Sequence, residues 1–169
     1  MSLCDDFEDG VLDLNWSYLN PAWSETAGYL VATATRKAIV LATPAFSGCQ
    51  VCSVEAEMKT AGGVGNALWL PGWYVDKNNF MELLLKEQEN KIVLTQHLGG
   101  AVVKKKAYRI DIVPNVVYEV RIAFNGFQFD VSVDSVHVMS LVPIGAVATG
   151  TVGFQAKDTV GAFGSIRVQ

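Results

Sequence analysis

Hydrophobic and polar positions alternate most regularly on either side of the dipeptide Asn125-Gly126. Residues 116–124 and residues 127–133 both repeat with a period of two, so each segment has one apolar and one polar face. The apolar faces consist of Tyr118, Val120, Ile122 and Phe124, and of Phe127, Phe129, Val131 and Val133. Because Asn-Gly favours hairpin turns, we predict a β-hairpin in an antiparallel sheet that packs one face against a second sheet.

Strand-like segments recur along the rest of the chain with turn signals between them, and no long segment combines a helical period with caps. The segments are 23–25, 29–33, 38–42, 49–59, 67–75, 80–87, 92–97, 102–110, 136–141, 151–156 and 163–168. This number of strands exceeds the roughly seven to nine of an immunoglobulin sandwich and suits a jelly roll. We therefore predict an all-β, antiparallel two-sheet β-sandwich that forms a single domain over residues 1–169, of which residues 1–3 are expected to be vector-derived.

Composition and charge exclude two classes of partner. Half of the residues are hydrophobic, but no apolar run approaches the roughly 20 residues of a membrane-spanning helix, so we expect no membrane insertion. The formal net charge of -4 argues against binding to nucleic acid, which needs a basic surface. The basic run Lys104-Lys105-Lys106 is interpreted as an exposed segment that protects the edge of a sheet.

Three cysteines are present, and Cys49 and Cys52 form a Cys-x-x-Cys pair. A zinc site would need nearby histidines or a second pair, and the two histidines, His97 and His137, are far apart. A redox motif would need a helix in an α/β protein. A local disulfide and two buried thiols remain as alternatives. Since residues i and i+3 of a regular strand point to opposite faces, the disulfide requires a turn or bulge near Gly48, and it would favour an exported protein.

Several motifs occur in an order that is typical of one group of β-sandwich proteins. They are Asp5-Asp6-Phe7-Glu8-Asp9-Gly10 followed by Trp16, Trp23 with Gly28-Tyr29-Leu30, Asn78-Asn79-Phe80-Met81-Glu82-Leu83, Tyr118-Glu119-Val120-Arg121-Ile122 followed by Asn125-Gly126 and Val133-Asp134, and Gly150-Thr151-Val152-Gly153-Phe154 with the closing segment 162–168. On these motifs the chain resembles the concanavalin A-like lectin/glucanase superfamily, in particular its bacterial laminin G-like and 3-keto-disaccharide hydrolase-like jelly rolls. Members that hold a structural calcium often have Asp in the final strand, where Gly164-Ser165 stand here. The resemblance implies a concanavalin A-like jelly roll without a cofactor. The side-chain pattern does not support a structural calcium, which stays open as an alternative because backbone carbonyls also bind this ion.

Glu55 and Glu57 are the candidate catalytic residues, because glucanases of this superfamily carry a Glu-x-Asp-x-x-Glu signature on one strand of the concave sheet. Retaining hydrolysis needs two carboxyls about 5 Å apart on either side of the sugar bond. The present segment lacks the central Asp and the last Glu of that signature, and Lys59 follows instead. Glutamates at i and i+2 also occur on the solvent face of many outer strands, and we prefer that interpretation.

A cluster of aromatic residues forms the candidate ligand site. Trp69, Trp73 and Tyr74 lie in one short segment, and flat aromatic faces stack on the apolar side of sugar rings. Pro71 cannot donate a hydrogen bond to a sheet ladder, so we expect an edge, bulge or loop there that exposes Trp73. The same site is expected to include the polar residues Glu82, Lys86 and Gln96.

The remaining candidates are interpreted as structural. A single histidine beside apolar residues in a strand is more often packed or exposed than a ligand, so neither His97 nor His137 is assigned a role. Trp16 and Trp23 are assigned to the core.

Three functions follow from the resemblance, in order of preference. The first is a non-catalytic, lectin-like carbohydrate-binding module of a secreted, cell-surface or periplasmic bacterial protein, with a glycan or another cell-surface component as its partner. The second is a structural or protein-interaction module of the laminin G-like type. The third is a glycoside hydrolase that uses Glu55 and Glu57.

Overall fold

The computed structural model describes residues 3–12, 16–19, 23–34, 38–42, 48–61, 67–157 and 159–169. Within these ranges it contains fifteen strands and one short 3-10 helix, Glu87–Glu89. In chain order the strands are β1 (Cys4–Asp5), β2 (Trp16–Tyr18), β3 (Trp23–Thr26), β4 (Tyr29–Ala34), β5 (Ala38–Ala42), β6 (Ser53–Thr60), β7 (Ala67–Asp76), β8 (Asn79–Lys86), β9 (Lys91–Leu98), β10 (Ala101–Arg109), β11 (Tyr118–Phe124), β12 (Phe129–Val133), β13 (Val136–Leu141), β14 (Gly153–Lys157) and β15 (Thr159–Val168). In these same ranges no helix has the length and apolar character needed to cross a membrane.

The strands form two sheets in which every pairing is antiparallel. Sheet A has the order β13-β12-β11-β6-β15-β4-β3, and β1 pairs with β15 beside this path. Sheet B has the order β10-β9-β8-β7-β14-β5-β2. The predicted all-β, two-sheet antiparallel sandwich is confirmed, and the three consecutive lysines lie exposed on β10, an edge strand of sheet B, as predicted.

The core lies between the two sheets and is rich in aromatic side chains. Phe154 of sheet B stacks on Phe163 of sheet A, with ring centroids 4.3 Å apart. Trp16 and Phe7 contact Phe154, and Trp23 contacts Phe163. Both of these tryptophans are buried, as predicted. Aromatic rings prefer particular orientations towards each other, in addition to the stabilisation from burying apolar surface. These contacts therefore help to align one sheet on the other.

The hairpin around Asn125-Gly126 is present, but its second strand begins later than predicted. Phe124 lies opposite Phe129, so the loop between them consists of residues 125–128. Oδ1 of Asn125 accepts hydrogen bonds from the backbone N–H groups of Phe127 and Gln128, each at 2.9 Å. Phe127 is therefore a loop residue that is 68% exposed, and its assignment to the apolar face was wrong.

A turn stabilised by a disulfide replaces the first part of the predicted strand 49–59. Strand β6 begins only at Ser53, and Cys49 is joined to Cys52 in a disulfide. Gly48 has a φ of 77°, and a Cβ at this position would lie 2.7 Å from the carbonyl oxygen of Gly150. The structure thus selects the disulfide from the two alternatives, with the turn at Gly48 that a disulfide requires.

Candidate functional site

The outer face of sheet B is recessed, although the strand order places no strand over it. Val93, Thr95 and Gln155 point away from the core on β9 and β14, yet each is between 4% and 8% exposed. Val93 is buried without belonging to the core cluster between the sheets. Side chains that point outward from a sheet become this inaccessible when the surrounding parts of the protein project beyond them. We therefore describe this face as concave. In contrast, Arg121 and Arg167 on the outer face of sheet A are exposed.

Cross-strand pairing brings several outward side chains of sheet B into one surface. Trp69 lies between Gln155 on β14 and Leu84 on β8. Glu82 lies opposite Thr95 on β9. Directly opposed residues of an antiparallel pair point to the same side of a sheet, so the indole of Trp69 shares this face with a buried carboxylate, hydroxyl and amide.

A continuous row of ring contacts and one polar contact crosses this surface. The Nε2 atom of His97 is 2.8 Å from Oε1 of Glu82. The imidazole of His97 stacks on Phe80 with centroids 4.2 Å apart and planes at 9°, and Phe80 contacts Tyr74 at 5.4 Å. When neutral His97 donates from Nε2 to Glu82, its Nδ1 remains an acceptor. We call Trp69, Tyr74, Phe80, Glu82 and His97 the concave site.

Trp73 lies outside the concave site, and the prediction that it is exposed was wrong. The register of β7 against β8 shifts between Gly72 and Asp76, which is the bulge that Pro71 indicated. Regular alternation would put Trp73 on the same face as Trp69, but the bulge reverses it, and Trp73 adopts a φ of 49°. Its ring is 2% exposed and packs in the core.

Gln96 lies away from the concave site, and Lys86 lies at the end of it that Trp69 forms. Gln96 faces the core, where its Nε2 donates to the carbonyl of Ile144 at 2.9 Å and its Oε1 accepts the N–H of the same residue at 2.8 Å. Lys86 shares the face of Glu82, as predicted. It lies four residues further along β8, about 13 Å from Glu82 and diagonally across from Trp69, and it pairs with Glu89. Gln96 therefore holds a loop, and Lys86 supports the turn after β8.

Glu55 and Glu57 lie on the outer face of sheet A, on the opposite side of the sandwich from the concave site. Glu55 stands between Arg121 on β11 and Arg167 on β15, and Glu57 stands opposite Glu119. Both side chains are partly exposed. The arrangement agrees with the interpretation of these glutamates as the solvent face of an outer strand.

Comparisons with known proteins place this architecture in a fold group. No protein-family model and no curated protein sequence matches the chain. Among solved structures, the carbohydrate binding module CBM66 from Bacillus subtilis has a TM-score of 0.77 and 16% identity, over 89% of this chain and 92% of that one. The Bacillus licheniformis β-glucanase has a TM-score of 0.80 and 10% identity, over 99% and 97%. The laminarinase from Flavobacterium sp. UMI-01 has a TM-score of 0.73 and 16% identity, over 98% of each chain. This chain has a concanavalin A-like jelly-roll fold.

The described residues of the jelly roll contain no group of three or more His, Cys, Asp or Glu side chains that could hold a metal ion. Gly164 and Ser165, at the place that the resemblance associates with calcium, lie in a bulge of β15. A Cβ on Gly164 would come 2.3 Å from Oε2 of Glu57. The glycine therefore makes room for that glutamate.

Among the residues that the structure describes, Glu25 and Tyr74 have pKa values that are clearly raised. Burial is the main cause that raises the pKa of Glu25 to about 7. A hydrogen bond with Asp9 and the negative charges of Asp9 and Asp5 also raise it. Burial raises the pKa of Tyr74, and the charge of Asp76 adds to this effect. The hydroxyl of Tyr74 is thus a neutral donor and acceptor in the concave site at neutral pH.

Sequence reasoning missed Phe80, Thr95, His97 and Gln155 on this face. The signal that was present is the period of two in the segments 80–87 and 92–97, which places Phe80 beside Glu82 and Thr95 beside His97. The pairing of β8 with β9, and of β14 with β7, could not be read from these segments alone. It is this pairing that joins the four residues to Trp69.

Proposed function

We propose that this jelly roll is a carbohydrate-binding module that holds a glycan in the concave site. The observation that carries the proposal is a recessed sheet face, with no described strand over it, on which Trp69 and Tyr74 point to the same side as the carboxylate and imidazole of the Glu82–His97 pair. The fold neighbours include a carbohydrate binding module and glucanases, which supports a glycan as the ligand.

The chemistry of the site matches that of a sugar ring. Aromatic faces stack on the C–H groups of a pyranose, and its hydroxyls need acceptors and donors around the edge. Glu82 is an acceptor, the hydroxyls of Tyr74 and Thr95 both donate and accept, and Nδ1 of His97 accepts when the ring is neutral. The recessed face is therefore suited to a neutral, hydroxyl-rich ligand.

We infer that this module binds without hydrolysis. Glycosidases need two carboxyls on either side of the scissile bond, about 5 to 9.5 Å apart. Within the described ranges, Glu82 is the carboxylate of the concave site, and Asp76 is the acidic residue beside Tyr74. Asp76 accepts hydrogen bonds from the backbone N–H of Asn78 and from the amide of Asn79, which lower its pKa. A carboxylate held in this way is a poor general acid.

Export of the protein is part of the same proposal. The disulfide between Cys49 and Cys52 supports it, because disulfides persist in oxidising compartments. A glycan or another component of a cell surface is then the partner that the module meets.

A glycan array tests the proposal when the wild type is compared with single variants. Trp69→Ala and Tyr74→Ala are expected to weaken binding about tenfold each, because a stacking contact is lost. Tyr29→Ala is the matched control, since Tyr29 lies on the outer face of sheet A beneath Lys59, and it should bind like the wild type. An equal loss in the Tyr29 variant, or no binding by the wild type, would overturn the proposal.

A reducing-sugar assay on the bound glycan tests the non-catalytic part separately. No release is expected from the wild type. Release that disappears in a Glu82→Gln variant would show that the concave site is an active site, and release that disappears in Glu55→Gln would return the chemistry to sheet A.

A further inference from the structure

A mostly apolar cavity lies at one end of the sandwich and shares Phe80 and His97 with the concave site. This end pocket has a volume of about 190 Å³ and lies between strands β7 to β9 and the segment that joins β13 to β14. Its floor is formed by Trp73 and Met81, each 2% exposed. Its rim includes the exposed residues Val75, Ala146 and Ala148. The pocket is therefore open to solvent and has a buried apolar floor.

The walls of the end pocket are held in place by interactions that need no ligand. The two hydrogen bonds between Gln96 and Ile144 fix the segment that forms one wall. The Nε1 atom of Trp73 donates to the carbonyl oxygen of Gln50 at 3.0 Å, which fixes the floor. The cavity is thus formed before any ligand arrives, so little ordering opposes binding.

Each polar residue that lines the end pocket already has a partner within the protein, and Nδ1 of His97 is the acceptor that stays open when that ring is neutral. Gln96 holds Ile144, His97 contacts Glu82, and Asn79 is bonded within the β7–β8 turn. A water molecule in a cavity needs two to four polar partners, and apolar cavities without them bind apolar molecules instead. The chemistry of the end pocket therefore favours an apolar occupant.

The volume and the lining residues of the end pocket restrict the class of compound that fits it. A cavity of roughly 150 Å³ holds a benzene ring, whereas pockets for drug-sized ligands begin at roughly 300 Å³. The rings of Trp73 and Phe80 and the thioether of Met81 line the pocket, and all three groups make favourable contacts with aromatic rings. We propose that the end pocket binds a monocyclic aromatic compound. This proposal goes beyond the proposed function and does not depend on it.

Methionine-methyl NMR with benzyl alcohol as the probe tests the proposal directly. Protein labelled with ¹³C at the methionine methyl groups reports on Met81 in the pocket, while Met58 and Met139 are buried elsewhere in the core. We expect a saturable shift of the Met81 signal alone. Cyclohexylmethanol, which has the same heavy-atom skeleton without a π-system, is expected to bind about threefold more weakly.

Closing the mouth of the end pocket gives the matched variant test. Ala148→Trp is expected to weaken benzyl alcohol binding at least about tenfold by occupying the rim. Ala61→Trp, an exposed alanine outside the pocket lining, is the control and should leave the titration unchanged.

Three results would overturn the proposal: no saturable shift of Met81 in the wild type, parallel shifts of all three buried methionines, or equal affinity for cyclohexylmethanol. None of these results would alter the glycan-array outcome, so failure of this proposal is distinguishable from failure of the proposed function.

Discussion

Replacing Trp73 with alanine tests the assignment of this side chain to the core. The indole is 2% exposed, its ring centroid lies 4.8 Å from that of Phe129 and 6.3 Å from that of Phe124, and its Nε1 donates to the carbonyl oxygen of Gln50. Truncation of a buried tryptophan costs about 3 to 5 kcal/mol, and the lost hydrogen bond about 1 kcal/mol. We expect the free energy of unfolding to fall by about 4 to 6 kcal/mol.

Urea denaturation followed by far-ultraviolet circular dichroism measures this loss. In a thermal scan the same change is expected to lower Tm by about 8 to 24 °C for a chain of this length. Trp73→Phe separates the two contributions, because it keeps a ring in the core and removes the hydrogen bond, and we expect a loss of about 1 to 2 kcal/mol.

Trp69→Ala is the matched control, because the indole of Trp69 lies on the concave outer face. Its loss of stability is expected to stay below about 1.5 kcal/mol, while its glycan binding is reduced. If Trp73→Ala and Trp69→Ala lost equally little stability and both lost binding, Trp73 would be a surface residue and the bulge in β7 would be assigned incorrectly.

Three further predictions concern stability and local opening. Glu25→Gln should stabilise the protein by about 1 kcal/mol at pH 8 and have little effect at pH 5, because ionisation of Glu25 is unfavourable in the folded state and solvent weakens the effect. Gly164→Ala should lower the free energy of unfolding by about 2 kcal/mol, because its Cβ would lie 2.8 Å from the Cβ of Glu57. Gln96→Leu should accelerate hydrogen exchange of the Ile144 amide about tenfold, because its acceptor is removed.

The sign of the first of these effects follows from the direction of the pKa shift. Glu25 has an ordinary pKa of 4.5 and a folded value of about 7, so its contribution to stability is fully present below 4.5 and is lost as the pH rises through 7. A Tm difference between variant and wild type that is independent of pH from 5 to 8 would contradict it. For the Gly164→Ala prediction, Gly72→Ala is the control, since a Cβ at Gly72 meets nothing within 4 Å. For the Gln96→Leu prediction, hydrogen exchange of the Ile144 amide as slow as in the wild type would show that Gln96 does not hold the loop.

Much of the fold was predictable because period-two alternation and turn residues are local signals. The segments 38–42 and 136–141 coincide with β5 and β13. The errors occurred where the chain departs from regular extension. Because the disulfide forms a turn, β6 begins later than predicted. Because Oδ1 of Asn125 accepts the N–H of Phe127, Phe127 lies in a loop and not in a strand.

The candidate site was predictable only in part. Alternation correctly placed Glu82 away from the core, and the aromatic segment contained Trp69 and Tyr74. Pro71 indicated a bulge, but it did not indicate that the side chain of Trp73 would point into the core. An extra residue in a strand reverses the alternation of every side chain beyond it, and the position of that residue depends on the pairing with the next strand.

By itself the sequence determined which residues form strands and which face of most strands is apolar, since these properties depend on neighbours in the chain. Only the tertiary structure decided which strands lie side by side, and hence that Glu82 meets His97 while Glu55 and Glu57 lie on the opposite side of the sandwich. The physical reason is that a strand offers the same backbone hydrogen-bonding groups whatever its sequence, so partners are chosen by the packing of the whole core.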